Sequence, residues 1–465
     1  MNKTSIIMSV DKSYNSYDVI KQIILHDITV FRFDLNIFDH DFCRSVINII
    51  RKCDKELGTN SAIMFDTVGP ICKTGTFTLG NATFTEGMKI RVYNNSIVGD
   101  CTKLYIDYYD LIDGIRCNTL IKLNGGKVVL QVIDKEADYL LCEVIVGGEV
   151  VDYSSVFIDE DLRLPFLSNK DREDIIFANE MNVDFLGLSM VNSSEDVLDV
   201  NDLLIELGND HISIISKIER ESAIREIDDI IRVSDGILLA RNELSIDVPI
   251  ERIPGILKMV INKCHYSSKI SIVTSDILCN FDVNNGASVS DISNVILEGS
   301  DAILLLSDNN FNNFEELTTI NKIISACECD IDYDSFLGQA LRSDSGDITG
   351  GISYSVVSIA NSLKCKAILV PTISGYTARR MSRFRPSCPI IAMSPDINTV
   401  KSLKLYFGVI PIYIKELKSL DEIIIKSREV ALEYLGVESP DKIVITGGYP
   451  FRKTKHTNFM KIEEM

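Results

Sequence analysis

Short runs rich in β-branched residues recur along this chain at intervals wide enough to hold a helix between them. Ile6–Met8, Ile28–Leu35 and Ser61–Thr67 open the series. It resumes with Phe185–Met190, Ile212–Ile218, Gly236–Ala240, Ile270–Thr274 and Ala302–Leu306. Helical spacing marks segments between them, among them Asp196–Leu207, Ala223–Val233 and Ile250–His265. Near-continuous apolar strands belong to a parallel sheet covered on both faces. Eight of them with helical connections predict a (β/α)8 TIM barrel. Periodicity alone leaves a larger doubly wound sheet as the alternative.

The series is interrupted after Thr67. Ala82–Val92, Lys103–Tyr109, Thr119–Leu123, Lys127–Val132 and Tyr139–Val146 read as short strands of a small β domain inserted into one βα loop. So long a loop without structure of its own is implausible in a compact domain. After Asp330 the pattern restarts. Helices are expected at Thr349–Leu363, Gly375–Phe384 and 418–435, and strands at Ala367–Val370, Ile390–Met393, Val409–Ile412 and Lys442–Ile445. The expected units are a barrel from 1–67 and 161–330, a β lid domain from 68–160 and a C-terminal α/β domain from 331–465.

Charge and composition exclude several function classes. A net charge of −20 gives no general attraction for nucleic acid or anionic lipid. No tract approaches the ~18 consecutive apolar residues of a membrane span, and Met1–Val10 lacks the apolar core of a secretory signal. Twelve cysteines without paired metal-site spacing read as buried hydrophobes and surface thiols. These features together predict a reducing cytoplasm.

Active-site side chains of such barrels come from the C-terminal strand ends. Those ends offer Arg32, Asp66 with Thr67, Lys217 with Glu219, Arg241 with Glu243, and Thr274. One cation and two carboxylates at Lys217, Glu219 and Glu243 suit a divalent metal beside a phosphoryl group. All-oxygen ligands indicate magnesium or manganese rather than zinc. A lone Lys-x-Glu is more often a surface ion pair, but five such ends together weaken that reading.

The motifs at these ends resemble the pyruvate kinase family. Ile215–Glu219 and Ser234–Arg241 are similar to I-S-K-I-E and S-D-G-I-M-V-A-R. Asp66–Gly75 looks like D-T-K-G-P-E-I-R-T-G, Leu164–Asp171 like L-P-A-L-S-E-K-D, and Val295–Ile303 like A-V-L-D-G-A-D-C-I. Towards the C-terminus, Thr372–Thr377 resembles T-E-S-G-R-S, and Arg383–Pro386 with Pro389–Ala392 resembles R-Y-R-P and P-I-I-A. The resemblance keeps motif order from Thr4 to the end.

It implies transfer of the phosphoryl group of phosphoenolpyruvate to ADP, with magnesium or manganese and with potassium. Lys217 would neutralise the phosphoryl group, Arg32 would grip it, and Thr274 would sit by the enolate carbon. Glu219 and Glu243 would hold magnesium, and Asp34, Asn36, Asp66 and Thr67 would form the potassium site. Lys73 and the backbone at Asn242 would meet substrate. Thr372, Ser374, Gly375 and Thr377 would take the phosphate of a sugar-phosphate effector, aided by Arg452, Lys453 and Lys455. A homo-oligomer, or a hetero-oligomer with a homologue, is implied as well.

Several positions depart from the motifs. Asp34 stands for the asparagine of R-L-N-F-S, Lys73 for an arginine, Asn242-Glu243 for Gly-Asp and Asn124 for a lid aspartate. The stretches around Asn284–Asp291 and Leu306–Asn310 lose charged residues. These departures open a second reading, a non-catalytic or regulatory subunit that binds an active paralogue or an anionic effector. The basic run Arg379, Arg380, Arg383 and Arg385 reads either as part of an anion site or as a helix face paired with carboxylates across a subunit contact.

Overall fold

The structure is a computed structural model and describes residues 2–108, 111–158, 165–209, 211–275, 286–306, 314–342, 347–417, 419–437, 439–448 and 457–465. Its eight apolar runs close into one parallel barrel. The strands are β1 (Ser5–Ser9), β2 (Val30–Asp34), β3 (Ala62–Asp66) and β4 (Phe185–Leu188), followed by β5 (Ser213–Ile218), β6 (Gly236–Leu239), β7 (Ile270–Ser275) and β8 (Ala302–Leu305). Around the barrel they run β1-β8-β7-β6-β5-β4-β3-β2, which sets the doubly wound alternative aside. Alternate residues such as Ile7, Met64, Phe185 and Leu238 form one buried cluster, while Met8, Phe65, Leu186 and Leu239 pack with the helices outside. Both faces of each strand are therefore buried, the reason the runs are apolar throughout.

Strand register aligns the polar ends. Asp66 of β3 is the partner of Asp34 on β2 and of Gly187 on β4, and Lys217 of β5 is the partner of Leu238 on β6. A Cβ at residue 187 would lie 2.1 Å from Asp66 Oδ1, so only glycine leaves room for that carboxylate.

The helix α1 (His40–Leu57) starts where Asp39 accepts the Phe42 amide and stops at Gly58 in the left-handed region. The helix α2 (Asn169–Glu180) opens with a reciprocal capping box of Ser168 and Asp171. Asp171 Oδ1 also accepts the amides of Val68 (3.0 Å) and Gly69 (3.1 Å). One buried carboxylate thus ties the exit toward the lid to the chain's return.

The lid elements form a seven-stranded and a two-stranded sheet around their own core. The expected strand Ala82–Val92 is two strands, Asn81–Phe84 and Lys89–Tyr93, separated by a turn at Gly87. Lys103–Tyr109 narrows to Lys103–Tyr105, and Gly148–Val151 and Ser155–Ile158 add strands that the sequence reading lacked. The lid meets the barrel where Lys122 Nζ donates to Ile246 O (2.5 Å) and Arg220 donates to Ile158 O (2.8 Å).

The C-terminal sheet comprises β9 (Ala367–Pro371), β10 (Ile390–Ser394), β11 (Val409–Tyr413), β12 (Lys442–Gly447) and β13 (Phe459–Glu464), ordered β11-β10-β9-β12-β13. The antiparallel edge strand β13 escaped the sequence reading because its exposed, charged residues hide any apolar pattern. This domain sits against the N-terminal strand ends, where Ser5 Oγ donates to Lys404 O (2.6 Å) and Arg385 pairs with Asp301 (3.1 Å). The interior barrel cluster continues into it through Leu337, Val356, Ile368 and Phe384. No described helix is long and apolar enough to cross a membrane.

Candidate active site

Three strand ends bring five charged side chains together. Arg32 lies buried on β2 and donates through Nε (2.9 Å) and Nη2 (2.7 Å) to one oxygen of Asp66 on β3. Its Nη1 donates to Ser9 Oγ (3.0 Å) and its Nη2 also to Asp34 Oδ2 (3.0 Å). On β5, Lys217 Nζ lies 3.3 Å from Asp66 Oδ2 and 3.1 Å from Glu219 Oε1, and donates to Ser189 Oγ at 2.9 Å.

Burial opposes the charges of Arg32, Asp66, Lys217 and Glu219, so their survival rests on pairing. For Lys217, burial favours the neutral amine, but Glu219 and Asp66 outweigh it and hold the ammonium well above the usual lysine range. Arg32 behaves likewise, with Asp66 and then Asp34 overcoming desolvation. Burial also opposes ionisation of Asp66, yet Arg32 and Lys217 hold its carboxyl below the ordinary aspartate value. Glu219 goes the other way. Burial pushes it up, Lys217 resists, and the Glu243 carboxylate pushes it further.

That last repulsion bears on metal binding. The Glu243 carboxylate is close enough to disfavour the charge on Glu219, and both offer oxygen donors, a combination suited to a hard divalent cation. Among the described residues no group of three or more His, Cys, Asp or Glu is arranged for an ion, so substrate or water oxygens would complete the shell. Asp66 Oδ1 is buried without a hydrogen-bond partner, with Asp34 and Thr67 adjacent, a set that fits a monovalent cation. Asn36 fits less well, because its Oδ1 already accepts the Lys73 ammonium (3.2 Å).

Comparison with known proteins decides the family. Residues 1–316 match "Pyruvate kinase, barrel domain" and residues 351–463 match "Pyruvate kinase, alpha/beta domain". The chain belongs to the pyruvate kinase family. A pyruvate kinase of Clostridium perfringens is 34% identical over the whole of both chains. One of Clostridium acetobutylicum is 32% identical, covering 100% of this chain and 99% of the relative. A crystal structure of a pyruvate kinase from Cryptosporidium parvum superposes with a TM-score of 0.93 at 26% identity, covering 100% of this chain and 96% of that one. This chain is accordingly a phosphotransferase of the pyruvate kinase type.

Within this pyruvate kinase barrel, the remaining strand-end residues flank the cluster. Thr274 on β7 donates to Leu239 O (3.2 Å) and accepts the Arg241 amide (3.3 Å). Arg241 in turn grips both oxygens of Asp291 (2.5 and 2.6 Å) and donates to Thr274 O (3.1 Å). Asn242 and Glu243 lie exposed in the first turn of the helix α3 (Arg241–Asp247). Asn124 is turned into the lid, where it donates to Glu149 O (3.1 Å).

Four polar groups escaped the sequence reading: Ser9, Ser189, Asp291 and the Met190 amide, which donates to Glu219 Oε2 (3.1 Å). Ser9 ends β1 and Ser189 directly follows β4, so strand-end position is the signal that marks them. Met190 takes a left-handed φ of 60°, strain of about 1–3 kcal/mol that aims its N–H at the carboxylate.

The C-terminal loop lies in the other domain. Thr372 Oγ1 accepts the Gly375 amide (3.0 Å), Arg379 donates to Ser374 O (3.1 Å), and the buried Thr377 hydroxyl pairs with Thr457 (2.7 Å). The basic run pairs within this chain, Arg380 with Asp347 (3.1 Å) and Arg385 with Asp301 (3.1 Å). Arg452, Lys453, Lys455, Asn284, Asn285 and residues 307–310 lie outside the described residues.

Proposed function

We propose that this chain transfers the phosphoryl group of phosphoenolpyruvate to ADP, giving pyruvate and ATP. The buried Arg32–Asp66–Lys217–Glu219 cluster at the C-terminal strand ends carries this reading. Arg32 offers a planar fork for the phosphate. Lys217, kept protonated by its two carboxylates, serves as a fixed cation toward the moving phosphoryl group and not as a base. Glu219 with Glu243 would hold magnesium or manganese, which supplies charge neutralisation at the phosphoryl and enolate oxygens. Asp34, Asp66 and Thr67 would hold potassium.

Thr274, fixed by the Arg241–Asp291 pair, would order the water that protonates the enolate carbon. Asn242 would bring its backbone to the substrate carboxylate, and Lys73 would reach substrate from the lid. Thr372, Ser374, Gly375 and Thr377 belong to the same reading as the seat of a sugar-phosphate effector. A homo-oligomer in the cytoplasm completes it, in keeping with eleven free thiols among the described cysteines. The reading without turnover has no support in the relatives, which are named as the enzyme.

A coupled assay of pyruvate formation with magnesium, manganese and potassium varied tests the proposal. Pyruvate should appear with the wild type, and Lys217→Met should lower the rate by roughly 1000-fold or more, the scale of one lost electrostatic stabiliser. No pyruvate under any cation combination would sink it.

A further inference from the structure

We propose that Asp34 makes binding of the phosphate ester in this chain conditional on a cation arriving first. The inference rests on the reading of Arg32 as the group that grips the substrate phosphate.

A guanidinium carries five N–H donors. In Arg32, Nε and one N–H of Nη2 go to Asp66, one N–H of Nη1 goes to Ser9, and the second of Nη2 goes to Asp34. One N–H on Nη1 remains, whereas a bidentate grip on phosphate takes two. One of the present acceptors must therefore let go, and Ser9 is as enclosed as Arg32 itself. Asp66 is held on two sides by Arg32 and Lys217 and is fully enclosed. Asp34 is held through Arg32 and the Asn36 amide, and its side chain is 21% exposed at the barrel mouth. Asp34 is the one that can give way.

Charge points the same way. Within the ion-paired cluster two cations, Arg32 and Lys217, face three carboxyl groups, Asp34, Asp66 and Glu219, an acidic balance to which Asp34 adds where a multiply charged anion must enter. The family motif has asparagine at this position, which would keep an oxygen for Nη2 and remove that added charge. Here a divalent or monovalent cation has to cancel it before the phosphate can displace Asp34 from Arg32. Asp34 thus sets the order of binding without touching the reacting atoms.

Isothermal titration of phosphoenolpyruvate into the full chain, without ADP, tests this. Buffers would contain tetramethylammonium alone, or saturating magnesium and potassium. Asp34→Asn should bind the ester roughly tenfold or more tightly than wild type in tetramethylammonium, and the gap should close at saturating cation. Equal or weaker binding by Asp34→Asn in the cation-poor buffer overturns the proposal. A gap that persists undiminished at saturating cation overturns it as well. Arg32→Met separates the underlying reading. If that variant binds the ester as the wild type does, Arg32 is not the phosphate grip, whatever Asp34→Asn shows.

Discussion

Ser189 stands between the backbone of Thr67 and the ammonium of Lys217, donating to the first at 2.7 Å and accepting from the second at 2.9 Å. Because its proton is committed to the carbonyl, its lone pair faces Lys217. The hydroxyl therefore fixes where the ammonium sits between Asp66 and Glu219. Ser189→Ala should lower kcat by roughly 10- to 100-fold through misplacement of that cation, with a stability loss of only about 1 kcal/mol. Steady-state kinetics beside a denaturant titration measure both. Unchanged kcat would show that the two carboxylates position Lys217 unaided.

Gly187 allows Asp66 its place. A methyl group at 187 would fall 2.1 Å from Asp66 Oδ1 and 2.8 Å from the Met64 methyl, so the carboxylate has to move. Gly187→Ala should cost about 1–3 kcal/mol of stability and about 100-fold or more in kcat/KM. A variant with wild-type kinetics would mean that Asp66 tolerates the shift.

Asp291 holds Arg241 through two short contacts, and Arg241 holds the backbone of Thr274. Asp291→Asn weakens the grip but leaves the phosphate-facing cluster intact. We expect kcat to fall by roughly tenfold while the dissociation constant of phosphoenolpyruvate, measured calorimetrically, stays within about twofold of wild type. A rise in that constant with kcat unchanged would place Asp291 in binding instead.

His265 sits buried where the barrel meets the C-terminal domain, 2.7 Å from Gly299 O and beside the Arg385 guanidinium. Burial, then Arg385, lowers its pKa well below the ordinary histidine value, so the folded chain keeps it neutral. The unfolded chain takes up a proton below pH ~6.5, and folding stability should fall as pH drops beneath that point. The slope contributed is about 1.4 kcal/mol per pH unit while the unfolded histidine alone is protonated. In His265→Gln the stability curve should flatten as pH falls from 7 to 5, by an amount that approaches this slope at the acid end. An unchanged slope would assign the acid sensitivity to other groups.

The barrel was legible because burial on both faces leaves a run of apolar residues that few other strands show. The charged members of the cluster, Arg32, Asp66, Lys217 and Glu219, were legible as candidates because ionised residues at the ends of such runs have little structural reason to be there. Ser9 and Ser189 were not, since a neutral hydroxyl at a strand end looks like any other terminus until its partners are seen. The Asp34–Arg32 contact was also hidden. Sequence places Asp34 two residues from Arg32, and only the pleat and the register against Asp66 bring both carboxylates to one nitrogen. Strand β13 was invisible for the opposite reason, being an exposed edge held by backbone pairing and not by side-chain burial.

The interior cluster of the barrel runs on without a break into the C-terminal domain, while the lid keeps a separate core of its own. Calorimetry should therefore resolve the lid's melting from that of the rest, with barrel and C-terminal domain sharing one cooperative transition. A truncation at residue 346 would uncover the floor formed by Ile7, Val30, Ala302 and their neighbours. The shortened chain should collect in aggregates, whereas excision of the lid should leave a soluble particle.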